Sequence, residues 1–165
     1  ALERQKQYAS AAAVLEQVKS PLEPGIFAEL TRLYFMMGNY DKAVLNGGEA
    51  YRLYAEKGCV PRMLDTAMFV AGTYANAMDK EKMWHWFEVC ANLNETVQSA
   101  YTAYLLEYNI GATCLTLGQK EQALERLKKA EELSAGLSED RCDQNLLFQK
   151  LAFACAVLKK GEQAE

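Results

Sequence analysis

The sequence predicts an all-α protein, and three observations carry that prediction. Alanine and leucine, the least costly helix formers, supply 24 and 21 of the 165 residues, whereas valine and isoleucine together supply 10. Strands therefore have little to be built from. The three prolines, Pro21, Pro24 and Pro61, stand where helices would begin or end. Finally, a short polar segment flanked by helical patterns recurs at a nearly constant interval, as stacked helical units require.

That segment reads Gly38-Asn39-Tyr40-Asp41-Lys42-Ala43 in one copy and Gly118-Gln119-Lys120-Glu121-Gln122-Ala123 in another, with Met78-Asp79-Lys80-Glu81-Lys82-Met83 midway. Fainter copies end on Ala9 and on Ala164, so the last residues Ala9, Ala43, Met83, Ala123 and Ala164 are spaced 34, 40, 40 and 41 apart. Aligned on this period, further columns appear. Twelve residues before the later anchors stand Thr31, Ala71, Gly111 and Ala152, all small, each preceded by Leu30, Val70, Ile110 or Leu151. Three residues on come Tyr34, Tyr74, Cys114 and Cys155, and seven after the anchors come Ala50, Cys90 and Ala130. Small residues at fixed positions let helices approach closely while their aliphatic neighbours fill the space between.

The elements follow in order. A helix over about 3–19 stops at Ser20-Pro21; the next, 24–37, opens on Pro24 and is closed by Gly38. Its partner spans 40–57 and ends at Gly58. Helices over 61–78 and 80–93 come next, the second stopped by Asn92-Leu93-Asn94, then 97–117 with 120–135, closed by Gly136. A last helix covers about 140–158. Thr66–Met78 and Tyr108–Gln119 carry no charge, as inner helices should, whereas 120–132 is charge-dense, with Glu125 and Lys129 at i,i+4. The expected organisation is one helical-repeat domain over 1–165: a partial repeat 1–20, repeats 24–58, 61–94 and 97–136, and a partial repeat 140–165. The absence of an initiator Met reads as a piece of something longer. Its uncapped end helices would then pair with missing repeats or with another copy.

These columns resemble the tetratricopeptide repeat: the small residue of the first helix, the glycine before the turn, the Tyr40-type aromatic, the alanine opening the second helix and the later alanine all match. The usual first-helix tryptophan position instead holds Phe27, Ala67, Glu107 and Phe148, and Met78 and Lys159 replace the turn glycine. The period of 40 is longer than the family's 34 and is similar to the repeat regions of MalT-like and peptide-sensing bacterial regulators. The resemblance implies an α-α superhelix, a right-handed solenoid of antiparallel helix pairs whose first helices line a concave groove. It places in that groove Ala28, Arg32 and Phe35; Asp65, Met68, Gly72 and Ala75; Leu105, Tyr108, Ala112 and Leu115; and Leu146, Gln149 and Phe153. The family's carboxylate clamp needs Lys and Asn here, whereas Ala28, Met68, Tyr108 and Gln149 occupy these sites, which argues against a chaperone-tail adaptor. Phe35, Met68, Tyr108, Leu115 and Phe153 would be apolar anchors and Arg32 an anion contact, with Asp65 and Gln149 beside them. Such a mixed groove suits an amphipathic helix or an apolar peptide. The bland alternative is that half of these side chains are core between adjacent pairs.

Other function classes find no support. A formal net charge of −4 and a pI near 5.2 argue against direct nucleic-acid binding. No apolar run approaches the roughly 20 residues of a membrane span. The sequence has no Gly-rich phosphate loop, no G-x-S-x-G and no H-E-x-x-H, so no enzymatic activity and no cofactor is expected. With one histidine and no C-x-x-C among Cys59, Cys90, Cys114, Cys142 and Cys155, neither is a metal site. Reduced thiols acting as small hydrophobes in a cytoplasmic protein are the expectation. His85, in Met83-Trp84-His85-Trp86-Phe87, reads as a partly buried, satisfied histidine. Two functions stay open: the sensor or interaction arm of a larger regulator such as a transcriptional regulator, or a passive scaffold or oligomerisation module without a ligand.

Overall fold

The computed structural model describes residues 2–18, 23–137, 147 and 149–156. Among the described residues, seven helices follow one another: α1 Leu2–Val18, α2 Pro24–Met36, α3 Tyr40–Glu56, α4 Val60–Asn76, α5 Lys80–Val97, α6 Ala100–Thr116 and α7 Lys120–Ser134. Residues 149–156 are helical again, and no strand occurs among the described residues. Pro21, Cys142, Leu146, Phe148 and the copy ending on Ala164 lie outside the described residues.

The turns explain the period. Among the described residues, five adopt left-handed backbone: Gly38, Gly58, Met78, Gln98 and Gly118, at φ of 72°, 64°, 62°, 50° and 71°. Each is twenty residues from the next. At four of them the same pair of bonds closes the helix: the Gly38 N–H donates to the Phe35 carbonyl and the Asn39 N–H to that of Tyr34, both at 2.9 Å. Matching pairs form at Gly58, Met78 and Gly118. This satisfies carbonyls the helix end would otherwise leave open. The residue after the left-handed one then starts the next helix. Asn39, Asp79 and Ser99 accept from the N–H of Lys42, Lys82 and Thr102 at 3.2, 3.1 and 3.2 Å, whereas Cys59 and Gln119 make no such bond. A period of 40 is thus two half-units of 20, with turns of equal length within and between pairs.

One boundary differs from expectation. Asn92-Leu93-Asn94 does not stop a helix; α5 runs on to Val97, and Gln98, whose N–H donates to the Asn94 carbonyl at 2.7 Å, turns the chain. Asparagine is a poor helix former but not a breaker. The stop is made by the backbone conformation at Gln98 and the cap at Ser99, which sets α6 to begin at Ala100 rather than 97.

The chain divides into two compact units, Ala1–Cys90 and Ala91–Glu165. In the first, α1 lies on α2, α2 on α3 and α3 on α4. Its core gathers Ala12, Leu30, Leu33, Tyr34 and Ala43, with Phe27, Ala50 and Leu53 beside them. Gly47 marks the tightest approach, for a Cβ there would sit 2.4 Å from Val70 Cγ2 and 3.3 Å from Thr31 Cγ2. The repeat is also written in cation–π contacts: Lys42 lies 5.0 Å over the Tyr34 ring and Lys82 5.4 Å over Tyr74, forty residues on in both partners.

In the second unit α6 packs on α7. Tyr104, Leu127, Ala130, Leu147, Leu151 and Ala154 form its core. A Cβ on Gly111 would meet Leu127 Cγ at 2.7 Å and the Leu127 backbone nitrogen at 3.2 Å, so this member of the small column is where α6 and α7 touch. Nearby, Glu107 is buried, with Lys129 Nζ at 2.7 Å and Arg126 Nη1 at 3.2 Å from its oxygens. The Lys129 ion pair thus crosses to α6 instead of joining Glu125.

Candidate functional site

Each unit carries a recess between first helices. In the first, α2 and α4 form its walls: Gly25, Ala28, Glu29 and Arg32 from one helix and Arg62, Asp65, Thr66 and Phe69 from the other, with Tyr54 of α3 also lining it. Its volume is about 380 Å³. The spacings 25, 28, 29, 32 and 62, 65, 66, 69 each trace one helix face. Four charges sum to zero and are already matched in pairs. The Arg32 guanidinium donates to Glu29, with Nε 3.1 Å from Oε2, and Arg62 lies 3.8 Å from Asp65. Its hydrogen bond to Glu29 holds the Arg32 guanidinium above its ordinary value. As an anion contact Arg32 would have to leave or share that carboxylate. Beside the recess, Phe35 meets Phe69 edge-on with ring centroids 5.3 Å apart, and Tyr40 at 5.7 Å.

The second recess, about 530 Å³, lies between α6 and the helical residues 149–156. Ala112, Leu115 and Thr116 line one side and Gln149, Lys150 and Phe153 the other. Phe153 is 58% exposed.

Of the eight residues singled out in the sequence, Arg32 and Asp65 therefore meet in the first recess, with Phe35 against its Phe69 wall. Leu115, Gln149 and Phe153 meet in the second. Met68 and Tyr108 line neither recess. Tyr108 is half-buried on the second unit's core, its ring stacked on Tyr104 at 6.1 Å between centroids. Met68 is half-buried as well. His85 is exposed, against the expectation of partial burial; Trp84 and Trp86 are half-buried, packing on Phe87 and Tyr51 at 6.0 and 5.2 Å. Cys90 and Cys114 are buried free thiols, and burial pushes that of Cys90 up to about 12. Among the described residues no group of three or more His, Cys, Asp or Glu could hold a metal ion, and no helix is long and apolar enough to cross a membrane.

No protein-family model matches the sequence, and no curated protein does. Among solved structures, the fold matches the crystal structure of BtubC (BKLC) from P. vanneervenii. That match has a TM-score of 0.77 at 17% identity, over 97% of this chain and 68% of that one. The chain has a helical-repeat-like, all-α fold. At that identity the likeness concerns the fold alone.

The sequence reading missed Glu29, Arg62, Thr66, Phe69, Tyr54 and Lys150. Helical spacing from residues it did name would have found several: Arg32 leads to Glu29, and Asp65 to Arg62 and Phe69. The stripe chosen on α4, running through Met68, Gly72 and Ala75, is turned away from the lining face by about one residue. Tyr54 gave no signal, since it comes from a second helix.

Proposed function

We propose that this chain is a tetratricopeptide-like module that binds a protein or peptide segment through the faces between its first helices. In this reading it is the sensor or interaction arm of a larger bacterial regulatory protein, non-catalytic and without a cofactor. The observation that supports it best is the recess between α2 and α4. There Arg32, Arg62, Glu29 and Asp65 surround an aromatic wall of Phe69 and Tyr54, the mixture of apolar anchor and orienting charge from which peptide sites are made. A cytoplasmic location goes with this reading, supported by the free cysteines Cys59, Cys90, Cys114 and Cys155.

Selection from a displayed library of random peptides against the whole chain tests the proposal. Phe69→Ala, at a 37%-exposed side chain, should weaken the selected peptides by about tenfold, as loss of a central aromatic anchor does. Leu45→Ala, on α3 and 73% exposed, should leave them unchanged. A selected pool in which no peptide depends on Phe69 would count against this recess as a site, and recovery of no peptide would count against the function. A scaffold or oligomerisation role is the second reading, favoured by α1, where Leu2, Val14 and Val18 are 80%, 58% and 59% exposed. Light scattering over a concentration series separates the two, because self-association through α1 is abolished by Val14→Glu.

A further inference from the structure

The two recesses differ in charge, and the difference points to a ligand. In the first unit every cation of the recess faces a carboxylate within its own helix: Glu29 for Arg32 and Asp65 for Arg62. In the second, Lys150 is the single charged side chain among the described residues that line the recess. It is half-buried, and no carboxylate pairs with it among the described residues. The opposing wall cannot supply one, because α6 carries no charge from Tyr108 to its end at Thr116. Thr116 turns its hydroxyl back to the Ala112 carbonyl at 3.2 Å. Among the described residues this leaves an apolar slot of Ala112, Leu115 and the 58%-exposed Phe153, with one ammonium, that of Lys150, at its edge.

A cation that no carboxylate of the described residues pairs with offers an incoming anion a site without a competitor. We infer that the recess between α6 and residues 149–156 takes an acidic-apolar protein segment. A Leu- or Phe-type side chain enters between Leu115 and Phe153, and an Asp or Glu one helical turn away pairs with Lys150. The inference rests on the binding role proposed above and specifies the partner's chemistry at one of its sites. Charge complementarity also predicts discrimination: basic segments meet Lys150 as a like charge and are rejected.

The test uses the full chain, wild type and Lys150→Glu, each put through the same random-peptide display, with Phe153→Ala as a third bait. Both substituted side chains are outside the core, and circular dichroism checks that helicity is kept. Wild type should enrich peptides with Asp or Glu three or four positions from Leu or Phe. Lys150→Glu should lose those peptides by roughly tenfold or more in affinity and enrich Lys or Arg in their place. Phe153→Ala should weaken the same peptides without changing their preferred charge. Peptides that carry no acidic signature, or that bind wild type and Lys150→Glu alike, overturn the inference while leaving the binding role standing. Recovery of no peptide by any bait overturns the binding role and this inference with it.

Discussion

At the residue scale, small side chains divide into those that let helices touch and those that do not. Gly111→Ala would force a Cβ to 2.7 Å of Leu127 Cγ and 3.2 Å of that residue's backbone, which cannot swing aside. The cost of such overpacking, about 1–3 kcal/mol, outweighs the gain of alanine over glycine in a helix. Gly72→Ala meets nothing within 4 Å and should instead stabilise by about 0.5–1 kcal/mol. Urea unfolding of the two variants should move in opposite directions. Buried thiols provide a second prediction. Burial raises the Cys90 thiol to about 12, and raises Cys114, Tyr34 and Tyr51 as well. The folded chain therefore holds these protons to higher pH than the unfolded chain, so the stability they contribute is complete below pH 9 and falls as pH rises toward 12. Unfolding midpoints at pH 8 and 10.5 should show that loss. At pH 8 iodoacetamide should label exposed Cys155 well before Cys90 or Cys114.

At the scale of elements, the alignment columns were legible because a repeat must place like residues against like. Leu30, Val70, Ile110 and Leu151 are all buried, as are Ala43, Met83 and Ala123 and the second-helix positions Ala50, Cys90 and Ala130. What was not legible is instructive. Met78 breaks the glycine pattern yet adopts the same left-handed turn, because two backbone hydrogen bonds and the packing of both helices impose it. The Asn92-Leu93-Asn94 stretch suggested a stop that the backbone ignores. Met68 falls outside the first recess because its stripe on α4 is rotated by about one residue from the lining face, whereas Tyr108 shares the face of Ala112 and Leu115 but lies a turn before them, against Tyr104. Glu107 occupies a position filled by Phe27 in the first unit, and its burial is compensated by Arg126 and Lys129 on α7. Removing it leaves two cations, 34% and 56% exposed, that water can partly rehydrate. Glu107→Ala should destabilise by about 1–3 kcal/mol, whereas Glu107→Leu, which restores apolar packing, should be close to neutral. A thermal unfolding series of the two variants decides this. Equal losses would mean that the ion pairs, not the volume, hold α6 to α7.

For the molecule as a whole, helix–turn units of equal length repeat the same local solution, so the architecture could be read from periodicity before any contact was known. The recesses could be read only in part. Periodicity identifies which helices come first in each pair, and the family resemblance added the positions on them, of which Arg32 and Asp65 line one recess and Leu115, Gln149 and Phe153 the other. Periodicity carries no information on the partners that close a recess from a neighbouring helix, such as Tyr54, or on whether a charge is already paired, as Arg32 is by Glu29.

The central claim is that segments bind between first helices. Amide chemical-shift mapping with a display-selected peptide tests it most directly. Perturbations are expected to concentrate at residues 25–32 and 62–69, at 112–116 and 149–153, or at one of these pairs. Shifts confined to the outer faces of α3 and α7, with both recesses silent, would contradict it.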